Sequence, residues 1–253
     1  MNHYSFPAGS APAFEFKVAS GRLDVVEAVD DHITVDVSGR GAENIIVEQI
    51  GGTVSVREER SRFIDRSASI RMAVPKGTNA DISAASLDVY VRVELGRVHA
   101  RTASGQLDFG RIGAGEVRSA SGDINIDSCG GRCQISTASG DIRSQSIKGD
   151  LAVNTASGDV FVDAVAGKVE IKSASGDIHL ACCSGPAIEV ASMSGDVNVG
   201  LPGGRRVEAQ IDSLSGDVSL PPRQTAGTEA KETVRLRMKT VSGDVSLQRI
   251  EAR

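Results

Sequence analysis

One short phrase constrains this chain more than anything else in it. The string S/T-A-S-G-D, or a close variant, returns with its glycine at Gly105, Gly122, Gly140, Gly158, Gly176, Gly195, Gly216 and Gly243. The steps are 17, 18, 18, 18, 19, 21 and 27 residues, so a period of 18 holds in the middle and stretches toward the C-terminus. One step upstream, Ala85-Ser86-Leu87-Asp88 keeps the register, with Leu87 where glycine is expected. A sustained period of this length marks a repeat architecture, in which one unit cannot bury its apolar face alone and stacks on its neighbours.

Each period contains a second rhythm. Residues 138–155 divide into ASGDIRSQS and IKGDLAVNT, two units of nine that both set a glycine turn before an alternating stretch. Ile124/Ile126, Leu151/Val153, Val160/Val162, Val169/Ile171 and Ile178/Leu180 all alternate with polar neighbours. Period two is the signature of a half-buried strand, and no stretch sustains the 3.6-residue period of a helix. The expected fold is therefore all-β: a parallel β-solenoid, or β-helix, with coils of about 18 residues, two strand–turn units per coil and essentially no helix. The eight repeat glycines are its corners, where the chain turns with positive φ. Composition agrees. The AVILMFWYC fraction is 40%, yet the chain holds no Trp, 2 Tyr and 6 Phe against 28 Gly, so Val, Ile, Leu and Ala must fill thin, repetitive layers.

The pattern also marks divisions. Residues 1–12 are expected to be a flexible terminus. Residues 13–75 read as irregular coils or an antiparallel sheet, with a charged loop near 58–69. Residues 76–253 form the regular solenoid, interrupted by loops at 201–206 (LPGGRR) and 221–232 (PPRQTAGTEAKE). Both loops follow the first strand of their coil, so both should leave the edge opposite the S-G-D corners. The last strands are expected at 233–240 and 244–247.

Several residue groups bear on chemistry. Stacked coils would align Asp123, Asp141, Asp159, Asp177, Asp196, Asp217 and Asp244 about 5 Å apart, where adjacent carboxylates repel by about 1 kcal/mol even in water. A cation ladder along Asp123, Asp141, Asp159, Asp177 and Asp196 would relieve this with oxygen ligands. The favoured reading is local: each carboxylate accepts hydrogen bonds from its own corner amides and the serine two residues earlier. Calcium-binding rolls need G-G-x-G-x-D at both corners, and here the second corner carries Arg132, Asp150, Lys168 and Pro186. Six equivalent serines (Ser121, Ser139, Ser157, Ser175, Ser194, Ser215) without a G-x-S-x-G elbow indicate corner geometry and no nucleophile. His3, His32, His99 and His179 lack metal spacing; Cys129 and Cys183 share one ladder position and read as small apolar core residues, and the four cysteines (129, 133, 182, 183) favour neither zinc nor disulfide. No nucleotide-binding glycine motif occurs, so no cofactor is expected. Arg205 and Arg206 form a possible partner loop.

Charge and hydropathy remove other classes. The net charge is −5, which gives no basic footprint for nucleic acid. No apolar run approaches the ~20 residues that span a bilayer, so direct membrane insertion is not expected. The first residues, MNHYSFPAGSAPAFEF, show no signal-peptide pattern, which sets the cytoplasm as the expected address.

The repeated (S/T)-A-S-G-D-(I/V) motif, the preceding MAVPKG strand and the length resemble the bacterial β-strand-repeat family called domain of unknown function 4097, also labelled a "putative adhesin" family. The resemblance covers about residues 14–250 and implies a β-solenoid or β-roll with no established enzymatic activity and no agreed catalytic residues. The expected function is that of a non-enzymatic scaffold binding a protein partner or a second copy of itself, since the end coils of a solenoid leave strand edges unpaired. The alternative is a carbohydrate-binding or carbohydrate-active β-helix, disfavoured by narrow coils and scarce aromatic platforms.

Overall fold

The computed structural model of the chain describes residues 2–59, 68–221 and 233–250. Strands dominate, and among the described residues the one helical element is a 3-10 turn at Ala42–Asn44. Two compact units divide the chain, Met1–Asp127 and Ser128–Arg253; the sequence pattern had placed its change of regularity at 75/76.

The first unit holds β1 (Asn2–Pro7), β2 (Ala13–Lys17), β3 (Ser20–Glu27), β4 (His32–Gly39), β5 (Ile45–Ile50), β6 (Thr53–Glu58), β7 (Ala68–Val74), β8 (Asn79–Val91), β9 (Leu95–Ser104) and β10 (Leu107–Ser119). Parallel pairs β2–β6, β3–β7, β2–β8, β3–β8, β8–β9 and β9–β10 build coils. Antiparallel pairs β1–β4, β4–β7 and β5–β6 add outer strands. The stretch expected as a flexible terminus thus carries β1, in register with β4 over six residues. Coil β2–β3 lies between β6–β7 and β8, so the chain is not stacked in sequence order here. At Leu87 it runs through the corner as continuous strand β8, and the leucine side chain is buried at 1% exposure.

β11 (Ile124–Cys129) carries the chain onward. The second unit continues with β12 (Cys133–Thr137), β13 (Ile142–Ile147), β14 (Leu151–Thr155), β15 (Val160–Val165), β16 (Val169–Ser173), β17 (Ile178–Cys183), β18 (Ala187–Ser194), β19 (Val197–Pro202), β20 (Arg206–Ser215), β21 (Val218–Ser219), β22 (Thr233–Ser242) and β23 (Val245–Ile250). One face stacks β13, β15, β17 and β19 in parallel, and the other stacks β12, β14, β16 and β18. Inward residues meet like residues: Val160 aligns with Ile142 and Ile178, and Val169 with Leu151 and Ile188.

After β19 the order departs from the expected succession. β22 pairs with β18 on one side and β20 on the other, while β23 pairs with both β19 and β21. The last strand pair is inserted, and β20–β21 forms the outermost coil. The long steps of 21 and 27 residues therefore have a cause. A chain that skips a rung and later returns to fill it needs two longer connections. The first is shorter than the expected loop 201–206, because Leu201 and Pro202 extend β19 and the turn is made at Gly203–Gly204. The second, expected at 221–232, lies outside the described residues from 222 onward. Composition explains which pair goes inside. β22–β23 offers Val234, Leu236, Met238 and Val245, each at most 2% exposed. The aligned positions of β20 are Val207, Ala209 and Ile211, which bury less apolar area in a rung that must be covered on both sides.

The corners make glycine obligatory twice over. Gly158 has φ +116, and a Cβ there would overlap the Gly140 carbonyl oxygen; Gly176, Gly195, Gly243 and Gly216 repeat the overlap on the preceding rung, in that order. Gly158→Val is expected to cost about 3 kcal/mol or more in chemical denaturation, through left-handed strain plus overlap. Gly204→Ala, at φ +80 with open space around it, is expected to cost about 1 kcal/mol; equal losses would contradict the corner account. A second outcome concerns Ser144, aligned with Val162 in the core, where its buried hydroxyl has no partner. Ser144→Val is expected to stabilise by about 1 kcal/mol, read from the same denaturation midpoint.

Candidate functional site

The repeat motif forms a network that runs from rung to rung. In the second unit the carboxylates of Asp141, Asp159, Asp177, Asp196 and Asp244 each reach past their own turn to the amide of the aspartate on the next rung. Asp141 Oδ1 accepts from the Asp159 N–H at 3.1 Å, Asp159 from Asp177 at 2.9 Å and Asp177 from Asp196 at 2.9 Å. Asp196 then accepts from Asp244 and Asp244 from Asp217, both at 2.8 Å, following the inserted order. These carboxylate–amide bonds run from rung to rung, where bonds within one corner were expected. The amide dipoles also offset the stacked negative charge. Asp123 belongs to the first unit, where its carbonyl accepts the Leu107 amide. Among the described residues no group of three or more His, Cys, Asp or Glu side chains is arranged to hold a metal.

The serines are used the same way. The Ser175 hydroxyl donates to the Ala156 carbonyl of the preceding coil at 3.4 Å, as Ser121 does to Ala103 at 3.3 Å. The first hydroxyl of the motif has a role that reading the sequence missed. Thr137 donates to the Ser139 carbonyl at 2.9 Å, Thr155 to Ser157 at 3.1 Å and Ser173 to Ser175 at 3.0 Å. These hydroxyl residues are buried. Their preference for Ser or Thr was visible in every repeat and is the signal that could have found them.

Other candidate groups stay apart or inert. Cys129, Cys133 and Cys183 are buried, and Cys182 is half-buried. A hydrogen bond with Cys129, then burial, pushes the Cys133 thiol up, and burial pushes Cys183 up to about 12, so neither supplies a thiolate at neutral pH. His3 lies 2.7 Å from Asp36 and His99 3.4 Å from Glu116, while His179 stands beside the Phe161 ring. An open groove of the first unit sets Glu15, Asp81, Arg97 and His99 over small residues. One on the second unit mixes Lys168, Arg235 and Arg237 with Glu189 and Glu208. Neither concentrates one sign of charge. Arg205 folds back, its guanidinium donating to the Ser184 carbonyl, whereas Arg206 is exposed at the start of β20.

The outer edge of the last coil is different. Among the described residues β20 pairs only with β22, and β21 only with β23. Leu214, Val218 and Leu220 are 83%, 44% and 56% exposed. Asp217 ends the carboxylate column without a following amide among those residues. The edge 206–219 carries neither Lys nor Pro, the residues that most often blunt an exposed strand.

A family model described as Toastrack DUF4097 matches residues 13–248. No curated protein matches. Among solved structures, a "putative adhesin" from Parabacteroides merdae is 13% identical, with 100% of this chain and 96% of that one covered and a TM-score of 0.42. A "putative adhesin" from Parabacteroides distasonis is 11% identical, with 98% and 96% covered and a TM-score of 0.41. A "putative lipid binding protein" from the same species is 13% identical, with 100% and 96% covered and a TM-score of 0.34. None of these carries an enzyme name. No helix among the described residues is long and apolar enough to cross a membrane.

The carboxylate column yields a direct test. Asp159→Ala is expected to lose about 1–2 kcal/mol of stability, and Asp159→Asn less, because an amide oxygen still accepts. Melting curves in millimolar Ca²⁺ and in chelator are expected to coincide; a calcium-dependent rise would restore the cation ladder. The Asp159 amide, opposed by burial and aided by Arg143, holds the Asp141 carboxyl below its ordinary range. A depressed carboxyl contributes stability above the unfolded value near pH 4 and loses it as pH falls further. Asp141→Asn is therefore expected to flatten that part of the acid profile.

Proposed function

This chain belongs to the Toastrack DUF4097 family, and we propose that it serves as a non-enzymatic β-solenoid scaffold that self-associates through the outer edge of its last coil. The observation that carries this reading is the β20–β21 edge, unpaired among the described residues, with its exposed Leu214, Val218 and Leu220. An unpaired strand offers a row of amide and carbonyl groups to any strand brought alongside. A second copy is the favoured occupant because it presents the same unpaired edge with the same exposed apolar side chains, so the contact is self-complementary. The segment SGDVSL at 215–220 stacks on an identical SGDVSL at 242–247. Two like edges meet about a two-fold axis in antiparallel fashion, each contributing the same apolar residues, which closes the assembly as a dimer. The motif serines, aspartates and cysteines support the non-enzymatic part, since their polar groups are engaged in corners or buried in the core.

Light scattering on size-fractionated protein from about 1 µM to about 1 mM, the range where modest interfaces are partly occupied, should show a reversible monomer–dimer equilibrium. Leu214→Lys with Val218→Lys places charge on the edge without touching the core and should weaken association by about tenfold or more. A strict monomer over the whole range, or a dimer indifferent to both substitutions, would overturn the proposal.

A further inference from the structure

The inserted rung has a property that the edge does not share. Its two walls, β18–β19 and β20–β21, come from residues 187–219, ahead of the strand pair that fills the space between them. The filler β22–β23 is bonded on both sides. The Arg235 amide donates to the Pro186 carbonyl at 3.0 Å, Val197 donates to the Asp244 carbonyl at 2.8 Å and Val245 to the Asp217 carbonyl at 2.9 Å. The filler also supplies the core of its rung through Val234, Leu236, Met238 and Val245. Among the described residues no later rung follows it, and its covalent link to the walls runs through the connection between Pro221 and Thr233. The slot recognises it by parallel backbone pairing and by the S-G-D corner, features identical in every copy.

We propose that β22–β23 of one copy fills the slot between β18–β19 and β20–β21 of a second copy, giving a dimer by rung exchange. Every contact made within one chain is then remade between two. The balance is set by the effective concentration of the tethered filler against the concentration of other copies. Pro221 and Thr233 are twelve peptide steps apart in the sequence, a contour length of at most about 40 Å. Because the walls are continuous with the coil interior, an exchanged rung is slow to release, unlike an edge contact. The proposal rests on the strand order and stands whether or not the outer edge also pairs.

The test uses full-length chains in a Cys182→Ser background, because Cys182 is the half-buried native thiol. One chain carries Ala191→Cys and the other Lys239→Cys, positions aligned on β18 and β22. The two are unfolded together, refolded at low and high concentration, and treated with a short bis-maleimide. Rung exchange predicts a cross-linked heterodimer whose yield rises with concentration. It also predicts none when Lys239→Cys is paired with Ser136→Cys on β12, four rungs from β22. A chain carrying both Ala191→Cys and Lys239→Cys must close within itself at low concentration, which verifies the fold and the chemistry. No heterodimer despite that closure would overturn the proposal, as would equal yields from the matched and mismatched pairs. An edge dimer leaves Lys239 beside its own Ala191 and gives no such product, so the two assemblies fail separately.

Discussion

The backbones of successive corners in the second unit lie so close that no side chain fits between them. The overlap that a Cβ would make at Gly158, Gly176 or Gly195 is with the backbone carbonyl of the preceding corner, which cannot swing aside as a side-chain tip can. This approach fixes one rung per corner and locks the register. It also brings each aspartate amide within reach of the carboxylate before it. Thr or Ser at the start of the motif closes the same turn from inside by bonding the serine carbonyl. Strand pairing supplies most of the hydrogen bonds, but the corners decide which residue lies above which.

Order along the stack is a separate matter from register, because every coil carries the same corner and any coil can follow any other. Apolar content decides. The strand pair with Leu236 and Met238 occupies an internal rung, and the one with Ala209 and Ile211 takes the end, where one face meets solvent. The first unit shows the same freedom, with β2–β3 between β6–β7 and β8. Repeat architectures gain designability from interchangeable units, and here interchangeability loosens the tie between chain order and spatial order.

Much of this was legible in the residues. The 18-residue period, the nine-residue half-period and the glycine positions specify strands, corners and inward faces, since each follows from local alternation and steric need. The strand order was not legible, although its trace was present: the steps of 21 and 27 residues read as surface loops when they are the connections of a displaced rung. The pairing of β1 with β4 was also hidden, because NHYSFP shows no clean alternation and gains its structure from a partner 25 to 35 residues away. The aspartate column was recognised as a row, but the direction of its bonds depends on the axial rise between coils, which sequence spacing does not express. The outer edge as a candidate site follows from topology alone; nothing in SGDVSL at 215–220 distinguishes it from the identical segment at 242–247.

The proposed function follows from where the described stack ends. Interior rungs satisfy one another, and the chemistry-bearing side chains of the motif are engaged in doing so. What remains available is the backbone of the last coil and the slot behind it. Both depend on β23 lying between β19 and β21. The most direct measurement is short-range thiol cross-linking within single chains at low concentration, comparing Asn198→Cys with Ser246→Cys against Asn198→Cys with Ser219→Cys. The account predicts rapid closure of the first pair, aligned on adjacent strands, and little of the second, held a full rung further away. The reverse result would place the coils in simple sequence order and contradict it.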